Sequence, residues 1–546
     1  MTTYETTLNA ARRNGAVSRV VMRMCAVMAL CAAALPAQFT TLYSFPAPGG
    51  ISVAEGPTGG MIQGANGNLY GATSAYGEGY LAVPNIIYEM TPAGAVTTLY
   101  TFCSTCTESG GVPGALVQIQ PDGDLYGTTT SGGANGSGIV FKFTPGTFTP
   151  GTLTILYSFC SQSGCTDGGG PLAGLVQATN GELYGTTSTG GANGNGTIFK
   201  ITPAGALTTL YSFCPISGCT DGITVLGNLI QATNGNLYGA TERGGLNNGG
   251  TIFKMTPAGV FTTLYRFCAT NPACPDGQAP MGVMQAANGN FYGVTQGGGT
   301  GAYCNSYLGL PCGTVFEFTT GGTLNTIYNF CSLENCSDGS YPYTQLIQAT
   351  DGYLYGTNTA AGPLTGGGGG SPSRGSETKG ARSRPGSDGG LTPTYPGTIF
   401  KIRTSGAFTM LEDFCVYPDS TCGAIPVAPL FQATNGTLYG TTTQGGTGGC
   451  FTLDWNGCGV VFSLAVGLGP FVETRPTSGA AETVVKILGT DLTGATSVTF
   501  NGTAAAFSVV KPTLISTSVP AGATSGTVEV VTPSGTLKSN VRFVVP

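Results

Sequence analysis

Residues 175–214, LVQATNGELYGTTSTGGANGNGTIFKITPAGALTTLYSFC, contain the pattern that decides the fold. Short apolar segments alternate with turn signals, and the sharpest signal is Asn180-Gly181, the dipeptide of a tight β-hairpin. The predicted strands are A at 174–178, B at 183–187, C at 197–201 and D at 207–213. Four antiparallel strands in one unit form a blade of a β-propeller.

The same unit recurs along most of the chain. Leu-Tyr-Gly, with Phe replacing Leu once, contributes the tyrosines Tyr70, Tyr126, Tyr184, Tyr238, Tyr292, Tyr355 and Tyr439. Strand D is out of step, because its first copy at 39–45 precedes any strand A and the last unit ends at strand C near Leu464. The sequence therefore predicts an all-β, seven-bladed β-propeller over 38–466, closed by its N-terminal strand so that no sheet edge stays open.

Composition limits the possible functions. Charged residues are 8% of the chain, and 20 Lys and Arg against 26 Asp and Glu give a net charge of −6. The sequence has no stripe of basic residues that could bind a nucleic acid. The chain has no histidine, which excludes Ser-His-Asp and Cys-His catalysis and histidine-ligated metals.

Residues 1–37 are typical of a bacterial export signal. Arg12, Arg13, Arg19 and Arg23 precede the short apolar run 24–35, and Ala37-Gln38 is a suitable cleavage point. No later segment has 18 uncharged apolar residues, so we expect no transmembrane span in the mature chain. The predicted location is secreted or on the outer cell surface.

The repeat ends near Gly467, and residues 470–546 have a different pattern. Short β-branched segments at 483–489, 498–502, 507–510 and 526–531 are spaced as in a β-sandwich. The sequence therefore predicts a small immunoglobulin-like domain after the propeller.

Two resemblances add to this interpretation. Residues 175–214 and 229–268 resemble the GloVer-type tandem repeat of "choice-of-anchor" bacterial surface proteins through the core Gln-Ala-Thr-Asn-Gly-x-Leu-Tyr-Gly. This resemblance covers about 39–464 and implies an exported protein without a defined activity. The C-terminal stretch resembles an IPT/TIG domain through its Pro-Thr-Ser-Gly opening at 476–479 and Val-Thr-Phe-Asn-Gly at 498–502. Some IPT/TIG domains bind DNA or receptors, but here, without a basic surface, we expect a spacer or adhesion module.

The cysteines fit an exported chain. Cys25 and Cys31 lie in the predicted signal, and the other sixteen form eight close pairs, which indicates disulfides. The predicted pairs are Cys103 with Cys106, Cys160 with Cys165, Cys214 with Cys219, Cys268 with Cys274, Cys304 with Cys312, Cys331 with Cys336, Cys415 with Cys422, and Cys450 with Cys458. A zinc site is not expected, because zinc would need four converging thiolates and the blades hold the pairs apart. Cys103 and Cys106 form the one Cys-x-x-Cys pair, for which a redox role is an alternative.

Strand direction assigns the connections to two faces. The short A–B and C–D turns share one face, here called the tight-turn face. The B–C and D–A connections contain all the cysteine pairs and share the other, here called the cysteine face. Variable loops on a rigid scaffold commonly carry binding sites, so the cysteine face is the predicted functional face.

A glycine-rich insert at 361–397 lies between strands B and C of the sixth unit and is expected to be a flexible loop. It contains Arg374, Lys379, Arg382 and Arg384. Contact with an acidic polymer is therefore an alternative role.

Three sets of residues are candidates for a site. An acidic residue recurs in most D–A connections, at Glu55, Glu108, Asp167, Asp221, Asp276 and Asp338. These carboxylates either stabilise turns or form a ring for Ca²⁺ or a sugar, with Asp167, Asp221, Asp276 and Asp338 as the Ca²⁺ candidates.

A glutamine ends every strand A, at Gln63, Gln118, Gln177, Gln231, Gln285, Gln348 and Gln432, and is expected to serve the blade's own hydrogen bonding. Trp455, the only tryptophan, either packs over the disulfide of Cys450 and Cys458 or stacks on a sugar.

The sequence favours an exported, non-catalytic binding or scaffold protein whose partner is an extracellular glycan or protein. The alternative is a carbohydrate-active enzyme, a hydrolase or lyase, since propellers also host such enzymes. Glu242, Arg243 and Asp454 break the repeat, as catalytic residues should, but none has an identifiable partner. No catalytic residue is therefore assigned, and no cofactor is predicted, with Ca²⁺ as the alternative.

Overall fold

A computed structural model describes residues 37–45, 54–76, 85–102, 114, 116–119, 123–146, 151–215, 217–269, 273–304, 312–366, 391–395, 397–414, 423–447 and 458–546. The described strands form seven antiparallel blades, each with strand order A-B-C-D, and two further sheets in the C-terminal domain. The predicted propeller followed by a sandwich is thus confirmed.

The strands of each class have similar bounds in all seven blades. Strand A covers Ile62–Gln63, Val117–Gln118, Val176–Gln177, Ile230–Gln231, Met284–Gln285, Ile347–Gln348 and Phe431–Gln432. Strand B covers Leu69–Tyr76, Leu125–Thr129, Leu183–Thr186, Leu237–Thr241, Phe291–Gly297, Leu354–Gly366 and Leu438–Thr441. Strand C covers Ile86–Met90, Ile139–Thr144, Thr197–Ile201, Thr251–Met255, Thr314–Phe318, Thr398–Ile402 and Val460–Ala465. Strand D covers Val96–Thr101, Thr152–Ser158, Leu207–Ser212, Phe261–Arg266, Leu324–Asn329 and Phe408–Asp413, and in the seventh blade Gln38–Ser44.

Shorter elements complete the blades. Strands Ala54–Pro57, Gln278–Pro280 and Ser340–Pro342 pair with the end of strand B in their blades. Single 3₁₀ turns cover Ser163–Cys165, Leu246–Asn248 and Glu334–Cys336. None of the described residues belongs to a helix with the length and apolar character needed to cross a membrane.

The N-terminal strand closes the ring. Gln38–Ser44 runs antiparallel to Val460–Ala465, with Phe39 opposite Leu464 and Gln38 opposite Ala465. Strand D of the last blade thus comes from the start of the propeller, as the strand count predicts. The chain leaves strand C of the last blade next to the point where the propeller begins.

Aromatic rings hold adjacent blades together. The Phe after each strand D packs edge-to-face on an aromatic ring of strand C in the next blade, at centroid distances of 5.2–5.8 Å. The pairs are Phe102 with Phe141, Phe159 with Phe199, Phe213 with Phe253, Phe267 with Phe316, Phe330 with Phe400, Phe414 with Phe462, and Phe45 with Tyr88. The last pair joins blade seven to blade one, so the closing interface has the same contact as the others.

The Asn-Gly-x-Leu-Tyr motif stabilises the A–B turn. The Asn180 Oδ1 atom accepts a hydrogen bond from the Glu182 backbone N–H at 3.1 Å, and its Nδ2 atom donates to the Tyr184 hydroxyl at 2.9 Å. Asn234 and Asn288 repeat both contacts with their own tyrosines. One side chain thus connects the turn to strand B.

The C-terminal domain is a two-sheet sandwich. One sheet contains Glu473–Arg475, Val484–Leu488, Leu514–Ser518 and Phe507–Lys511. The other contains Thr503–Ala504, Ser497–Phe500, Val528–Thr532 and Gly535–Lys538. Residues such as Val485, Ile515 and Val530 are buried between the sheets.

The insert of the sixth blade begins as an extension of the sheet. Residues 361–366 belong to a long strand B and pair with Leu391–Tyr395. Residues 367–390 and the predicted signal segment 1–36 lie outside the described residues. The flexibility of the insert stays a prediction.

Candidate functional site

The C-terminal domain occupies part of the tight-turn face. A guanidinium nitrogen of Arg475 donates to the Gln63 carbonyl at 2.9 Å, and the Thr513 hydroxyl donates to the Ala65 carbonyl at 3.0 Å. The hydroxyls of Thr434 and Thr490 lie 3.1 Å apart. Gln63, Ala65 and Thr434 lie in or beside A–B turns, so this face carries the second domain.

The cysteine face carries the disulfides. Five predicted pairs are bonded: Cys160 with Cys165, Cys214 with Cys219, Cys268 with Cys274, Cys304 with Cys312, and Cys331 with Cys336. Cys458 is also disulfide-bonded. Disulfides in this number are typical of a chain that folds outside the reducing cytoplasm.

The remaining cysteine predictions fall on residues that the structure does not describe. Cys103 and Cys106 lie outside the described residues, as do Cys415 and Cys422. Cys450, the predicted partner of Cys458, lies outside them too. The pairing of Cys103 with Cys106, of Cys415 with Cys422 and of Cys450 with Cys458 therefore stays a prediction.

The recurring aspartates stabilise their own connections. Asp221 accepts hydrogen bonds from the Tyr211 hydroxyl at 2.8 Å and the Cys214 backbone N–H at 3.0 Å. Asp167, Asp276 and Asp338 make the corresponding bonds to a strand D tyrosine and to backbone N–H groups of the loop. This geometry favours the turn interpretation, because each carboxylate already has donors in its own blade.

No converging ring of carboxylates is found in the part of the chain that the structure describes, where no group of three or more His, Cys, Asp or Glu side chains is arranged to hold a metal. The Glu55 side chain and Glu108 lie outside the described residues. Calcium binding by Asp167, Asp221, Asp276 and Asp338 stays an untested prediction.

The glutamines at the ends of strand A connect neighbouring blades. The Gln231 amide nitrogen donates to the Gly235 carbonyl in its own A–B turn, while its oxygen accepts from the Thr179 N–H of the preceding blade at 2.8 Å. Gln118, Gln285, Gln348 and Gln432 accept in the same way. Gln63 accepts from Thr434 at 2.9 Å, which links blade one to blade seven. For Gln177 the corresponding donor position, Gln120, lies outside the described residues. These side chains serve the scaffold between blades as well as within them.

A cavity of about 150 Å³ lies where the seven blades meet. Each blade contributes the residue four or five positions before its strand A glutamine. Blades three to seven place large side chains there: Leu172, Leu226, Met281, Tyr343 and Val427. Blades one and two contribute the smaller Thr58 and Gly114, and no lining residue is charged.

Polar side chains from three blades converge beside this cavity. The Gln296 amide nitrogen lies 2.8 Å from the Met281 sulfur, and its oxygen accepts a hydrogen bond from the Tyr341 hydroxyl at 3.4 Å. Glu242 and Arg243, from a third blade, are paired at 3.7 Å. Burial raises the pKa of Tyr341; the Glu242 charge raises it further, and the Arg243 charge lowers it. We call Glu242, Arg243, Gln296 and Tyr341 the mouth cluster.

Sequence reasoning found half of this cluster. Glu242 and Arg243 stand out because they break the repeat, whereas Gln296 and Tyr341 were missed. Gln296 occupies the same repeat position as Glu242, immediately after a strand B threonine, so an alignment of the units could have found it. Trp455 and Asp454 lie outside the described residues.

Taken together, these features define a closed propeller of tandem repeats with a C-terminal IPT/TIG domain. The model of the Gloeobacter/Verrucomicrobia repeat matches residues 33–219 and 147–369, more than half of the chain, and the IPT/TIG model matches 472–545. The chain belongs to the Gloeobacter/Verrucomicrobia repeat family. No curated protein matches it in sequence.

Several solved structures share a weak overall likeness. A Dyadobacter fermentans protein of unknown function is 10% identical, with 79% of this chain and 98% of that chain covered and a TM-score of 0.37. A Penicillium chrysogenum α-L-arabinanase complexed with arabinobiose is 11% identical, with coverage of 78% and 97% and a TM-score of 0.36. A Fusarium graminearum α-L-arabinofuranosidase complexed with arabinobiose is 12% identical, with coverage of 76% and 98% and a TM-score of 0.34. At these scores the likeness carries no functional argument.

Proposed function

We propose that this chain is an exported, non-catalytic binding or scaffold protein. Residues 1–37 direct export, the propeller at 38–466 carries the binding loops, and the domain at 470–546 serves as a spacer or attachment module. The ligand is an extracellular glycan or protein, and it binds on the cysteine face.

One observation carries this proposal: the two faces of the propeller have different contents. The C-terminal domain is hydrogen-bonded to the tight-turn face through Arg475 and Thr513. The disulfide-closed loops extend from the opposite end of the blades. A chain held through its C-terminal domain therefore presents its stiffened loops outward, as a surface binding protein requires.

The enzyme alternative has less support. A glycosidase of the usual kind needs two opposed carboxylates. The ionised group paired with Glu242 is the guanidinium of Arg243, at 3.7 Å. We therefore keep binding as the proposed function.

The test is a binding screen with face-specific variants of the mature chain, residues 38–546. The probes are an array of extracellular glycans and extracellular proteins. Leu246→Arg and Leu333→Arg place a charge at sites 46% and 51% exposed on the cysteine face. The matched control, Val260→Arg, changes a residue 61% exposed beside a C–D turn.

We expect the wild-type protein to retain at least one probe, intact on recovery, and the two cysteine-face variants to lose it. The Val260→Arg control should bind like the wild type. An array on which the wild type retains nothing, or on which the control alone loses binding, contradicts the proposal. Cleavage of the retained glycan would favour the enzyme alternative.

A further inference from the structure

Two residues of the mouth cluster, Glu242 and Gln296, occupy a repeat position that has a structural role in other blades. The residue five positions after the start of strand B is Ser74, Thr130, Ser188, Thr359 or Thr443 in five blades and Glu242 or Gln296 in the other two. The Ser188 hydroxyl donates to the Gly170 carbonyl at 2.7 Å, and the Thr359 hydroxyl donates to the Tyr341 carbonyl at 2.9 Å. An ionised Glu242 cannot donate such a bond. Two adjacent blades have therefore replaced a scaffold hydroxyl with longer polar groups.

These side chains converge near the propeller axis. Glu242 belongs to blade four, Gln296 to blade five and Tyr341 to blade six. Gln296, from the blade between blades four and six, accepts a hydrogen bond from the Tyr341 hydroxyl at 3.4 Å. Blades four and six are not neighbours, yet the Glu242 charge also raises the pKa of Tyr341, after the larger effect of burial. The Glu242 side chain is only 17% exposed. The cluster is thus a partly desolvated polar group shared by three blades.

The cluster adjoins the axial cavity. Gln296 contacts Met281, a cavity-lining residue, at 2.8 Å. The Tyr341 ring lies nearly parallel to that of Tyr343, which also lines the cavity, at an interplanar angle of 15° and a centroid distance of 6.2 Å. A space of about 150 Å³ accommodates one six-membered ring, since benzene fills an engineered cavity of that size.

The chemistry of the lining selects the ligand. The cavity wall is uncharged, and the Glu242 carboxylate at the mouth is paired with the Arg243 guanidinium, so a charged ligand gains no net attraction. A purely apolar ligand would desolvate the Glu242 carboxylate further without offering it a hydrogen bond, which is unfavourable. Carboxylate and amide oxygens accept hydrogen bonds from hydroxyls, an amide nitrogen donates to them, and tyrosine rings pack on C–H groups. A neutral ring that carries hydroxyls fits all of these groups.

We propose that the mouth cluster and the axial cavity beneath it bind one neutral saccharide ring, the terminal residue of an extracellular glycan. Glu242 and Gln296 hydrogen-bond its hydroxyls, and the tyrosine pair contacts its apolar face. This site deepens the proposed function and rests on it.

The experiment measures binding of methyl pyranosides of glucose, galactose, mannose, xylose and N-acetylglucosamine to residues 38–546. Saturation-transfer NMR detects contact, and titration gives the dissociation constant. The test variants are Glu242→Gln and Gln296→Ala. The matched control is Glu182→Gln, which alters a carboxylate paired with Lys200 beside an A–B turn. Circular dichroism and melting temperature verify that every variant folds.

We expect at least one methyl pyranoside to bind the wild type, and binding weakened by about tenfold or more in both test variants. Glu242→Gln replaces a charge-assisted hydrogen bond to the ring with a weaker neutral one, and Gln296→Ala removes its hydrogen bond. The Glu182→Gln control should bind like the wild type. No binding by the wild type, or unchanged binding in both test variants, overturns the saccharide site. If Leu246→Arg and Leu333→Arg still abolish capture on the array in that case, the proposed function stands and only this inference fails.

Discussion

The glycine of each Leu-Tyr-Gly motif is required by an aromatic ring and not by a turn. A Cβ atom at Gly185 would lie 2.6 Å from the Phe199 ring, and one at Gly239 would lie 2.6 Å from the Phe253 ring. The strand C ring of each blade thus crosses the backbone of its own strand B. The same strand C ring also packs against the Phe that follows strand D of the preceding blade. A single glycine therefore allows the packing of two blades.

Substituting Gly185 with Ala should therefore destabilise the propeller. Overpacking of a close-packed core costs about 1–3 kcal/mol, since Phe199 must leave its position. The measurement is the midpoint of urea unfolding. The control is Gly469→Ala, where an added Cβ meets nothing within 4 Å. Equal midpoints for the two variants would show that the ring moves without cost.

The aspartate of the D–A connection should make stability depend on pH. Burial raises the pKa of Asp167, but hydrogen bonds from the Ser161 backbone and the Tyr157 hydroxyl outweigh it, so the pKa lies below its ordinary value. A lowered pKa in the folded state adds stability above the unfolded value of about 3.9, and this stability is lost as the pH falls through the folded value.

We expect the melting temperature of Asp167→Asn to be lower than that of the wild type at neutral pH. The difference between the two melting temperatures should become smaller below about pH 3.9. Melting curves measured from pH 7 to pH 2 test it. A gap that is constant or widens in acid would mean that the carboxylate charge has no stabilising role.

Strands and their order follow from local signals, which is why the sequence predicts them. Asn-Gly turns, alternating apolar residues and the out-of-step strand D define the seven blades and the closure at Gln38–Ser44. Strand A is shorter than expected, with two residues such as Val176–Gln177. The short strands that pair with the end of strand B, such as Ser340–Pro342, have no turn signal or apolar alternation of their own in the sequence. They form where a loop meets the end of strand B.

The N-terminal strand should be necessary for closure. A chain that begins at residue 46 leaves Val460–Ala465 as an unpaired edge and removes the contact of Phe45 with Tyr88. Unpaired edges favour association between chains. We expect this variant to elute as aggregates in size-exclusion chromatography, and a peptide of residues 38–45 to restore a monomer. A scrambled peptide is the control, and a monomer without any peptide would contradict the closure argument.

The insert of the sixth blade should contribute little to stability. Deleting 367–390 and joining the ladder of 361–366 and 391–395 by a short Gly linker keeps the paired strands. Loop-closure free energy changes only slowly with loop length, so the melting temperature should stay nearly constant. A fall of many degrees would show that these residues pack on the propeller.

The candidate site was harder to predict than the fold, because it depends on which blades meet across the axis. Glu242 breaks the repeat and is visible in the sequence, but Tyr341 lies about a hundred residues away and in a variable connection. The role of Gln63 between blades could not be predicted for the same reason, because Gln63 in the first blade accepts its hydrogen bond from Thr434 in the last. A repeat predicts what each blade does for itself, and contacts between blades need coordinates.

The C-terminal domain spans the blades on either side of the closure. Arg475 donates to Gln63 in blade one and lies 3.5 Å from the side-chain oxygen of Gln118 in blade two. On the other side, the Phe471 N–H donates to the Thr434 carbonyl of blade seven at 2.9 Å. Thr434 is also the residue that Gln63 joins across the blade seven to blade one interface. The second domain thus holds together the part of the ring that contains the chain ends.

Arg475→Ala should therefore loosen both the domain contact and the ring. Hydrogen bonds to charged groups contribute about 1.5–3 kcal/mol each, and the Arg475 side chain is 16% exposed. We expect a larger maximum dimension in small-angle scattering and a lower midpoint for propeller unfolding. Lys538→Ala, which removes an exposed pair with Glu529 inside the C-terminal domain, is the matched control and should change neither. If Arg475→Ala changes the dimension but not the midpoint, the domain is tethered to the propeller without stabilising its closure.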